Sequence, residues 1–143
     1  LVDVKEFAKY RIYFAAPLFS EGERSFNRRA ADIFEELYFH VHLPQELDDD
    51  EEARGENREA AIYAGNLAAL KEADIVVGVI DGADADSGTA WEMGYATASG
   101  KRVIALRTDF RRLSENESVN LMLEMDADVV HSLDELKELL TYY

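Results

Sequence analysis

The sequence places one glutamate, Glu92, where its carboxylate could take part in a reaction. Glu92 lies in the segment SGTAWE at 87–92, which is predicted to begin a helix, and the most apolar run of the chain, IVVGVI at 75–80, precedes it. The length and β-branched content of that run predict a buried strand. In an open α/β sheet, ligands bind beyond the carboxyl ends of the strands, where loops lead into helix N-termini. Glu92 is therefore expected to lie beside a ligand site.

We expect Glu92 to be ionised at neutral pH. A glutamate has a reference pKa of about 4.3, and the helix dipole favours a charged carboxylate near a helix N-terminus. An ionised carboxylate can attack without an activating base, so Glu92 is a candidate nucleophile. The alternative is a solvated residue at a helix end. The residues around Glu92 favour a catalytic role. Gly88 and Ala90 are small and leave the approach to Glu92 open, and Asp86 lies on the same loop. The hydroxyl of Tyr13, on the neighbouring strand, could hold a carboxylate oxygen.

Other catalytic and metal-binding patterns are weaker. The first predicted strand is followed by neither a G-x-G-x-x-G motif nor a Walker lysine, which argues against dinucleotide and P-loop chemistry. Ser20 and Ser87 have no evident histidine partner. A structural role is favoured for the three histidines, which lie on or beside predicted strands: His40, His42 and His131. His40 and His42 share a strand face, so a metal-binding pair is the alternative for them.

Composition limits the class of protein. The chain has 143 residues, the length of a single domain, which is taken as 1–143, and no cysteine. With 15 basic and 30 acidic residues its net charge is −15, which argues against a nucleic-acid partner because such binding needs clustered Lys and Arg. No apolar run approaches the roughly 18 residues that span a bilayer, so we expect a soluble, cytoplasmic protein without a membrane partner. The acidic run at 48–52 is interpreted as a solvated loop, because its spacing matches no calcium loop.

Strand and helix patterns alternate along the whole chain. Strands are predicted at 11–17, 39–43, 74–80, 101–106 and 127–131, with helices between them at 20–37, 59–73, 87–100 and 119–125 and a last helix after 132. Ser20 with Glu23 forms a predicted capping box, and Gly100 is a predicted helix-ending glycine. The segment 107–118 is polar and is predicted to be a loop. This alternation predicts an α/β fold, a flavodoxin-like or Rossmann-like five-stranded parallel sheet with helices on both faces.

Four blocks of the sequence together resemble the nucleoside 2-deoxyribosyltransferase family. They are IYFAAPLFS at 12–20, NL at 66–67 with KEAD at 71–74, DSGTAWEMGYA at 86–96 and VNLM at 119–122. The third block, with its D-x-G-T-A-W-E-x-G pattern, is the most specific, and the resemblance runs from about residue 12 to the C-terminus. It implies a flavodoxin-like sheet, which the alternation of elements predicts independently, and it implies no metal or organic cofactor.

The resemblance also implies an activity and a set of roles. Family members exchange the base of a 2′-deoxynucleoside for a free nucleobase through a covalent deoxyribosyl-enzyme. By this resemblance Glu92 attacks C1′ of the sugar, Tyr13 orients Glu92, and Asp86 bonds the 5′-hydroxyl. The remaining substrate-binding residues are Phe19 and Gln45 near the base, Asn66, Gly88, and Asn120 and Met122. Asn120 and Met122 match positions that reach into a neighbouring subunit's site, which implies a homo-oligomer, a dimer or a multiple of dimers, with shared sites.

Asn66 departs from the common pattern of the family. Many members have an aspartate there that contacts the base, whereas an amide donates a hydrogen bond but supplies no proton. The identity of the general acid, and the preference between purines and pyrimidines, therefore stay open. Two displacements at one carbon predict retained β configuration and ping-pong kinetics, with some hydrolysis when water replaces the acceptor base.

Three alternatives differ in chemistry. Relatives that hydrolyse 2′-deoxynucleoside 5′-monophosphates resemble this chain but have a serine at the position of Asp86; a phosphate near Asp86 would be repelled unless that carboxylate pairs with Arg28 or Arg29. A phospho-acceptor receiver domain using Asp81 needs an acidic pair after the first strand, where Ala-Ala-Pro stands at 15–17. A non-catalytic nucleoside-binding domain is the third.

Overall fold

The strands form one parallel sheet. The computed structural model describes residues 10–48, 55, 57–112, 114–116 and 119–143. Within these residues lie five strands, β1 (Arg11–Ala15), β2 (His40–His42), β3 (Ile75–Val79), β4 (Arg102–Leu106) and β5 (Asp128–Val130), in the order β2-β1-β3-β4-β5. This order is that of flavodoxin-like folds. The predicted α/β fold class is confirmed.

The helices are α1 (Glu21–Glu36), α2 (Pro44–Asp48), α3 (Arg58–Glu72), α4 (Ser87–Ala98), α5 (Leu121–Glu124) and α6 (Leu133–Leu140). The short helix α2 is not among the predicted elements. It begins with a proline, a residue that suits the first helical position because its missing N–H would have no partner there. Of the acidic run at 48–52, Asp48 ends this helix and the rest lies outside the described residues.

Alternation along the strands builds a separate core on each side of the sheet. Ile12 and Phe14 of β1 pack in a core with residues of α1 and α6, whereas Tyr13 and Ala15 belong to a second core with residues of α3 and α4. Successive strand residues point to opposite faces, so this partition follows directly from the sequence. It places the side chain of Tyr13 on the face that α4 covers.

Two predicted helix signals are confirmed. The Ser20 side chain accepts a hydrogen bond from the Glu23 backbone N–H at 3.1 Å, and the Glu23 carboxylate accepts one from the Ser20 backbone N–H at 2.8 Å, which completes the capping box. Gly100 follows α4 with φ +74°, a conformation that glycine adopts without steric cost. No helix of the described ranges is long and apolar enough to cross a membrane.

One residue of the predicted loop at 107–118 is buried. The described residues of this segment form no helix or strand, as predicted, and Arg107, at its start, is only 2% exposed. Its guanidinium donates to the carbonyl oxygens of Ile80 at 2.7 Å and Gly82 at 2.8 Å, and also to that of Arg111 at 2.8 Å. A buried arginine is stable only when such acceptors replace water. Arg107 therefore fixes the loop that leads from β3 towards Asp86.

Candidate active site

The centre of the candidate site is a contact between β1 and α4. Tyr13, in the middle of β1, is fully buried, and its hydroxyl donates a hydrogen bond to Oε2 of Glu92. Burial, together with the negative charge of Glu92 and this bond, raises the pKa of Tyr13 above its ordinary value. Tyr13 is thus a fixed hydrogen-bond donor over the whole physiological pH range, and it restrains one of the two carboxylate oxygens.

Two local features place Glu92 over the sheet. Asp86 caps α4, with Oδ2 accepting from the Thr89 backbone N–H at 3.0 Å and from Thr89 Oγ1 at 3.2 Å. Further along, α4 lies very close to β3: a Cβ added at Gly78 would stand 2.3 Å from Sδ of Met93. Because a methyl group at position 78 would overlap the Met93 side chain, the glycine there allows α4 to pack closely on β3 through Met93, one residue after Glu92.

The charge state of Glu92 corrects the sequence-based expectation. Burial raises its pKa, the hydrogen bond from Tyr13 lowers it, and the charge of Asp86 raises it, so that the pKa of Glu92 is about 7. The dipole was expected to keep the carboxylate ionised, but Glu92 lies in the second turn of α4 and the dipole's influence falls off within the first. At neutral pH, therefore, protonated and ionised Glu92 are both populated.

A cavity opens beside Glu92, with a volume of about 350 Å³. We call it the Glu92 hollow; it is lined by Tyr63, Asn66, Leu67, Leu70, Gly88, Trp91 and Glu92. Ligand sites in proteins commonly have volumes of 300–1,000 Å³ and mostly apolar walls with a few polar groups. The hollow has this character, and it brings three predicted residues together: Glu92, Gly88 and Asn66.

The Asn66 side chain contacts a histidine of β2. His42, on β2, places Nε2 at 2.9 Å from Oδ1 of Asn66, and its ring stacks on Tyr13 with 5.1 Å between centroids and 25° between planes. A structural role is expected for His42 from its sequence, but the pairing of β2 with β1 places it opposite Tyr13, which the local pattern does not reveal. His42 thus contacts both the tyrosine that bonds Glu92 and the amide that lines the hollow.

Gln45 and Phe19 do not line the hollow. The Gln45 side chain is 8% exposed; its oxygen accepts from Asn27 Nδ2 at 3.1 Å and its nitrogen donates to the Arg24 carbonyl oxygen at 3.1 Å. These bonds tie α2 to α1, so this amide is engaged within the protein instead of being presented to a base. Phe19 is 78% exposed and stands just before α1.

Asn120 and Met122 lie apart from the Glu92 hollow. Asn120 caps α5 by accepting from the Met122 backbone N–H at 2.9 Å, and the Met122 side chain is 78% exposed. Both border a second cavity of about 480 Å³ between α4 and α5, which Glu92 does not line. Within one chain, therefore, these two residues do not contact the candidate nucleophile.

Asp86 is paired with neither of the two arginines considered for it. Its carboxylate is engaged by Thr89, whereas Arg28 pairs with Asp32, Glu35 and Glu46. The other arginine considered for this pairing, at position 29, lies over the ring of Phe26. Neither of these two arginines therefore neutralises Asp86, whose negative charge raises the pKa of Glu92. Among the described residues no group of three or more His, Asp or Glu side chains is arranged to hold a metal ion.

Two aromatic residues of the hollow were not predicted from the sequence. Tyr63 and Trp91 line it and are 60% and 52% exposed, and Trp91 stacks on Tyr95 with 5.6 Å between centroids. A signal for Tyr63 existed: it begins the stripe Tyr63, Asn66, Leu67, Leu70, whose spacing places all four on one face of α3.

A flavodoxin-like sheet with a tyrosine-bonded carboxylate and a cavity on one face defines an α/β protein with a small-molecule site. The sequence of this chain matches the family model described as "Nucleoside 2-deoxyribosyltransferase" over residues 12–125. The chain belongs to the nucleoside 2-deoxyribosyltransferase family.

The chain is also similar to individual proteins and solved structures. A nucleoside deoxyribosyltransferase of Lactobacillus johnsonii is 36% identical over 93 residues, covering 65% of this chain; the match spans just over half, 56%, of that protein's length. The solved structure of a 2-deoxyribosyltransferase from Bacillus psychrosaccharolyticus is similar with a TM-score of 0.75 and 26% identity, covering 89% of this chain and 90% of the other. A conserved protein of Enterococcus faecalis V583 is similar with a TM-score of 0.77 and 27% identity, covering 94% and 99%.

Proposed function

We propose that this protein transfers the 2-deoxyribosyl group of a 2′-deoxynucleoside to a free nucleobase through a covalent deoxyribosyl-Glu92 intermediate. The observation that carries the proposal is the carboxylate of Glu92, bonded to a buried tyrosine and bordering a cavity of suitable size. Family membership and the names of the similar transferases support the same reaction. When no acceptor base is present, water takes its place and the nucleoside is hydrolysed slowly.

The first half-reaction uses the free oxygen of the carboxylate. Tyr13 engages Oε2, which leaves Oε1 of ionised Glu92 to form a bond to C1′ as the C1′–N bond breaks and its electron pair passes to the base. Positive charge develops on the sugar in the transition state, and the carboxylate stabilises this charge before it is trapped. The bond from Tyr13 holds the carboxylate in one orientation during the attack.

The second half-reaction repeats the displacement in reverse. A ring nitrogen of the incoming base gives up its proton to water and attacks C1′ from the vacated side; the bond to Glu92 breaks, and its electron pair returns to the carboxylate. Two inversions give retained β configuration, and the intermediate requires ping-pong kinetics. A ribonucleoside is expected to react poorly, because its 2′-hydroxyl crowds Glu92 and destabilises the cationic transition state.

Asp86 supports a nucleoside as the substrate in preference to a 5′-monophosphate. Two unit charges 4 Å apart repel by about 4 kcal/mol at an effective dielectric of 20, and a phosphate carries up to two. Neither Arg28, which is engaged by three carboxylates of its own, nor Arg29, which lies over the ring of Phe26, is paired with Asp86. An uncharged 5′-hydroxyl instead gives Asp86 a donor to bind.

Trapping the intermediate tests the proposal. The protein is mixed with deoxyinosine and quenched in acid during turnover, and its peptides are analysed by mass spectrometry. We expect a deoxyribosyl adduct on the peptide that contains Glu92 and none in Glu92→Gln. The matched control Glu36→Gln changes an exposed carboxylate of α1 and retains the adduct. An active protein with Glu92 unmodified under these conditions rejects the mechanism.

Product analysis separates transfer from its alternatives. Deoxyinosine with adenine is expected to give deoxyadenosine, whereas a deoxynucleoside 5′-monophosphate without an acceptor is expected to remain intact. Rapid release of base from the monophosphate would instead identify an N-glycosidase. Nucleoside binding that is equal in the wild type and in Glu92→Gln, with no turnover in either, would identify a binding domain.

We also propose that the active sites are shared within a homo-oligomer. Asn120 and Met122 do not reach the Glu92 hollow of their own chain, and Met122 is largely exposed. Mixing inactive Glu92→Gln with Asn120→Ala, after brief unfolding and refolding, should form hybrid dimers in which one site has both native residues. Activity in the mixture that exceeds the sum of the two variants supports sharing. No recovery, or a fully active monomer in sedimentation, refutes it.

A further inference from the structure

Three side chains from three elements form a chain of contacts behind the Glu92 hollow. The ring of His42 on β2 stacks on that of Tyr13 on β1, and its Nε2 lies 2.9 Å from Oδ1 of Asn66 on α3. Tyr13 is fully buried, and His42 and Asn66 are half-buried. Of these three residues, Asn66 lines the hollow together with Glu92.

The bond to His42 decides which end of the Asn66 amide is free. An asparagine side chain has an acceptor oxygen and a nitrogen with two N–H donors. Oδ1 is engaged by Nε2 of His42, and Nδ2 forms no hydrogen bond with another described residue. In this arrangement His42 must carry its proton on Nε2, as it does both in one neutral tautomer and in the imidazolium form. The atom that Asn66 offers to a ligand is then a donor.

We propose that His42 is a positioning residue that fixes Asn66 as a hydrogen-bond donor, so that the site accepts nucleobases presenting an unprotonated acceptor, a carbonyl oxygen or a ring nitrogen, towards α3. The inference rests on the proposed function for its consequence in catalysis. With the opposite tautomer the amide would turn over, Oδ1 would face the hollow, and bases with a donor at that edge would be favoured. The tautomer of His42, which does not line the hollow, therefore determines whether the site binds a base through an acceptor or through a donor.

A donor that supplies no proton determines how the base departs. As Oε1 of Glu92 bonds to C1′, the electron pair of the C1′–N bond passes to the base, and Nδ2–H of Asn66 stabilises the resulting negative charge by a hydrogen bond. Asn66 transfers no proton, and the released base takes its proton from water. The rate then depends on how well the base itself carries the charge, so electron-withdrawing bases leave faster.

Nuclear magnetic resonance tests the geometry without relying on activity. Long-range proton–nitrogen correlation spectra of the uniformly ¹⁵N-labelled, ligand-free protein report which ring nitrogen of each histidine is protonated. Loss of one set of signals in His42→Gln assigns His42 among the three histidines. We expect a proton on Nε2. A proton on Nδ1 alone would overturn the inference, because His42 would then accept from Asn66 and leave Oδ1 in the hollow.

Matched variants test the consequence. His42→Phe keeps a ring against Tyr13 but removes the donor, whereas His42→Gln places an N–H near the position of Nε2. We expect kcat/KM to fall about tenfold in the phenylalanine variant and to stay within about threefold of the wild type in the glutamine variant. In an Asn66→Ala background, His42→Phe should not lower kcat/KM any further. An equal cost in both backgrounds means that His42 acts only through its packing on Tyr13, and overturns the proposal.

A pair of substrates of nearly equal shape tests the departure step. 5-Fluorodeoxyuridine releases a more acidic base than deoxyuridine, and the wild type should cleave it roughly tenfold faster. Asn66→Asp introduces a group that can supply a proton, so it should bring the ratio of the two cleavage rates towards one. An unchanged ratio in this variant contradicts the inference. If the wild type exchanges no base at all, the proposed function fails, and the protonation of His42 alone decides the inference about Asn66.

Discussion

Replacing Glu92 by glutamine should stabilise the protein in a pH-dependent way. Burial, partly offset by the bond from Tyr13 and reinforced by Asp86, raises the pKa of this carboxyl from its ordinary 4.5 to about 7 in the folded state. Between these two values the folded protein keeps a proton that the unfolded chain has lost. The free energy of unfolding of the wild type therefore falls as pH rises from about 4.5 to 7, and it levels off above 7.

The expected magnitude follows from the size of that rise. Each pKa unit corresponds to 1.36 kcal/mol, so ionising Glu92 in the folded state costs up to about 3 kcal/mol above pH 8. Glutamine keeps an oxygen to accept from Tyr13 but cannot ionise. Glu92→Gln should thus unfold at a temperature roughly 10 °C above the wild type at pH 8.5, given about 3 °C per kcal/mol for a domain of this size, and close to it at pH 4.5.

Urea and thermal unfolding at pH 4.5 and 8.5 measure the difference. Glu36→Gln serves as the control, because it removes one exposed charge from the same strongly acidic protein and so corrects for the change in net charge. After this correction the gain in Glu92→Gln should be present at pH 8.5 and absent at pH 4.5. A gain of equal size at both pH values would mean that Glu92 titrates at its ordinary pKa, and the assigned role of burial would be refuted.

The remaining predictions concern the groups that hold Glu92. In the pH profile of kcat/KM, Tyr13→Phe should move the midpoint of the acidic limb upwards, because the hydroxyl lowers the pKa of Glu92, and should also reduce kcat/KM. Asp86→Asn, which can still cap α4, should move the same midpoint downwards because it removes a like charge; shifts in the same direction for both variants would contradict this. Gly78→Ala should destabilise the protein by about 1–3 kcal/mol in urea unfolding and lower kcat/KM, because its methyl group overlaps the buried Met93 side chain next to Glu92; a variant as stable and active as the wild type would show that this packing is not critical.

The sheet was predictable because its three central strands, β1, β3 and β4, are short and mostly apolar runs between helical patterns. A buried parallel strand has no polar face, so runs such as 75–80 have no other stable placement in a protein of this size. The capping box of α1 and the glycine after α4 are purely local signals, and the structure confirms both. The five-residue helix α2 was missed because one turn of helix carries no periodicity.

The site was less predictable, because it depends on distances between elements that are far apart in the chain. The sequence indicated Tyr13 and Glu92 as neighbours, and the structure brings them together. The pKa of Glu92 was misjudged, since burial is a tertiary property that its position near a helix start does not reveal. The bond between His42 and Asn66 joins residues 24 positions apart on different elements, and nothing in either local pattern indicates it.

The position of Trp91 provides a built-in optical reporter. The chain has a single tryptophan, and it borders the Glu92 hollow with half of its surface exposed. The indole fluorescence of the unlabelled protein therefore comes from one place, and a nucleobase that stacks there should quench it. Affinities of nucleosides can then be titrated directly in variants that do not turn over.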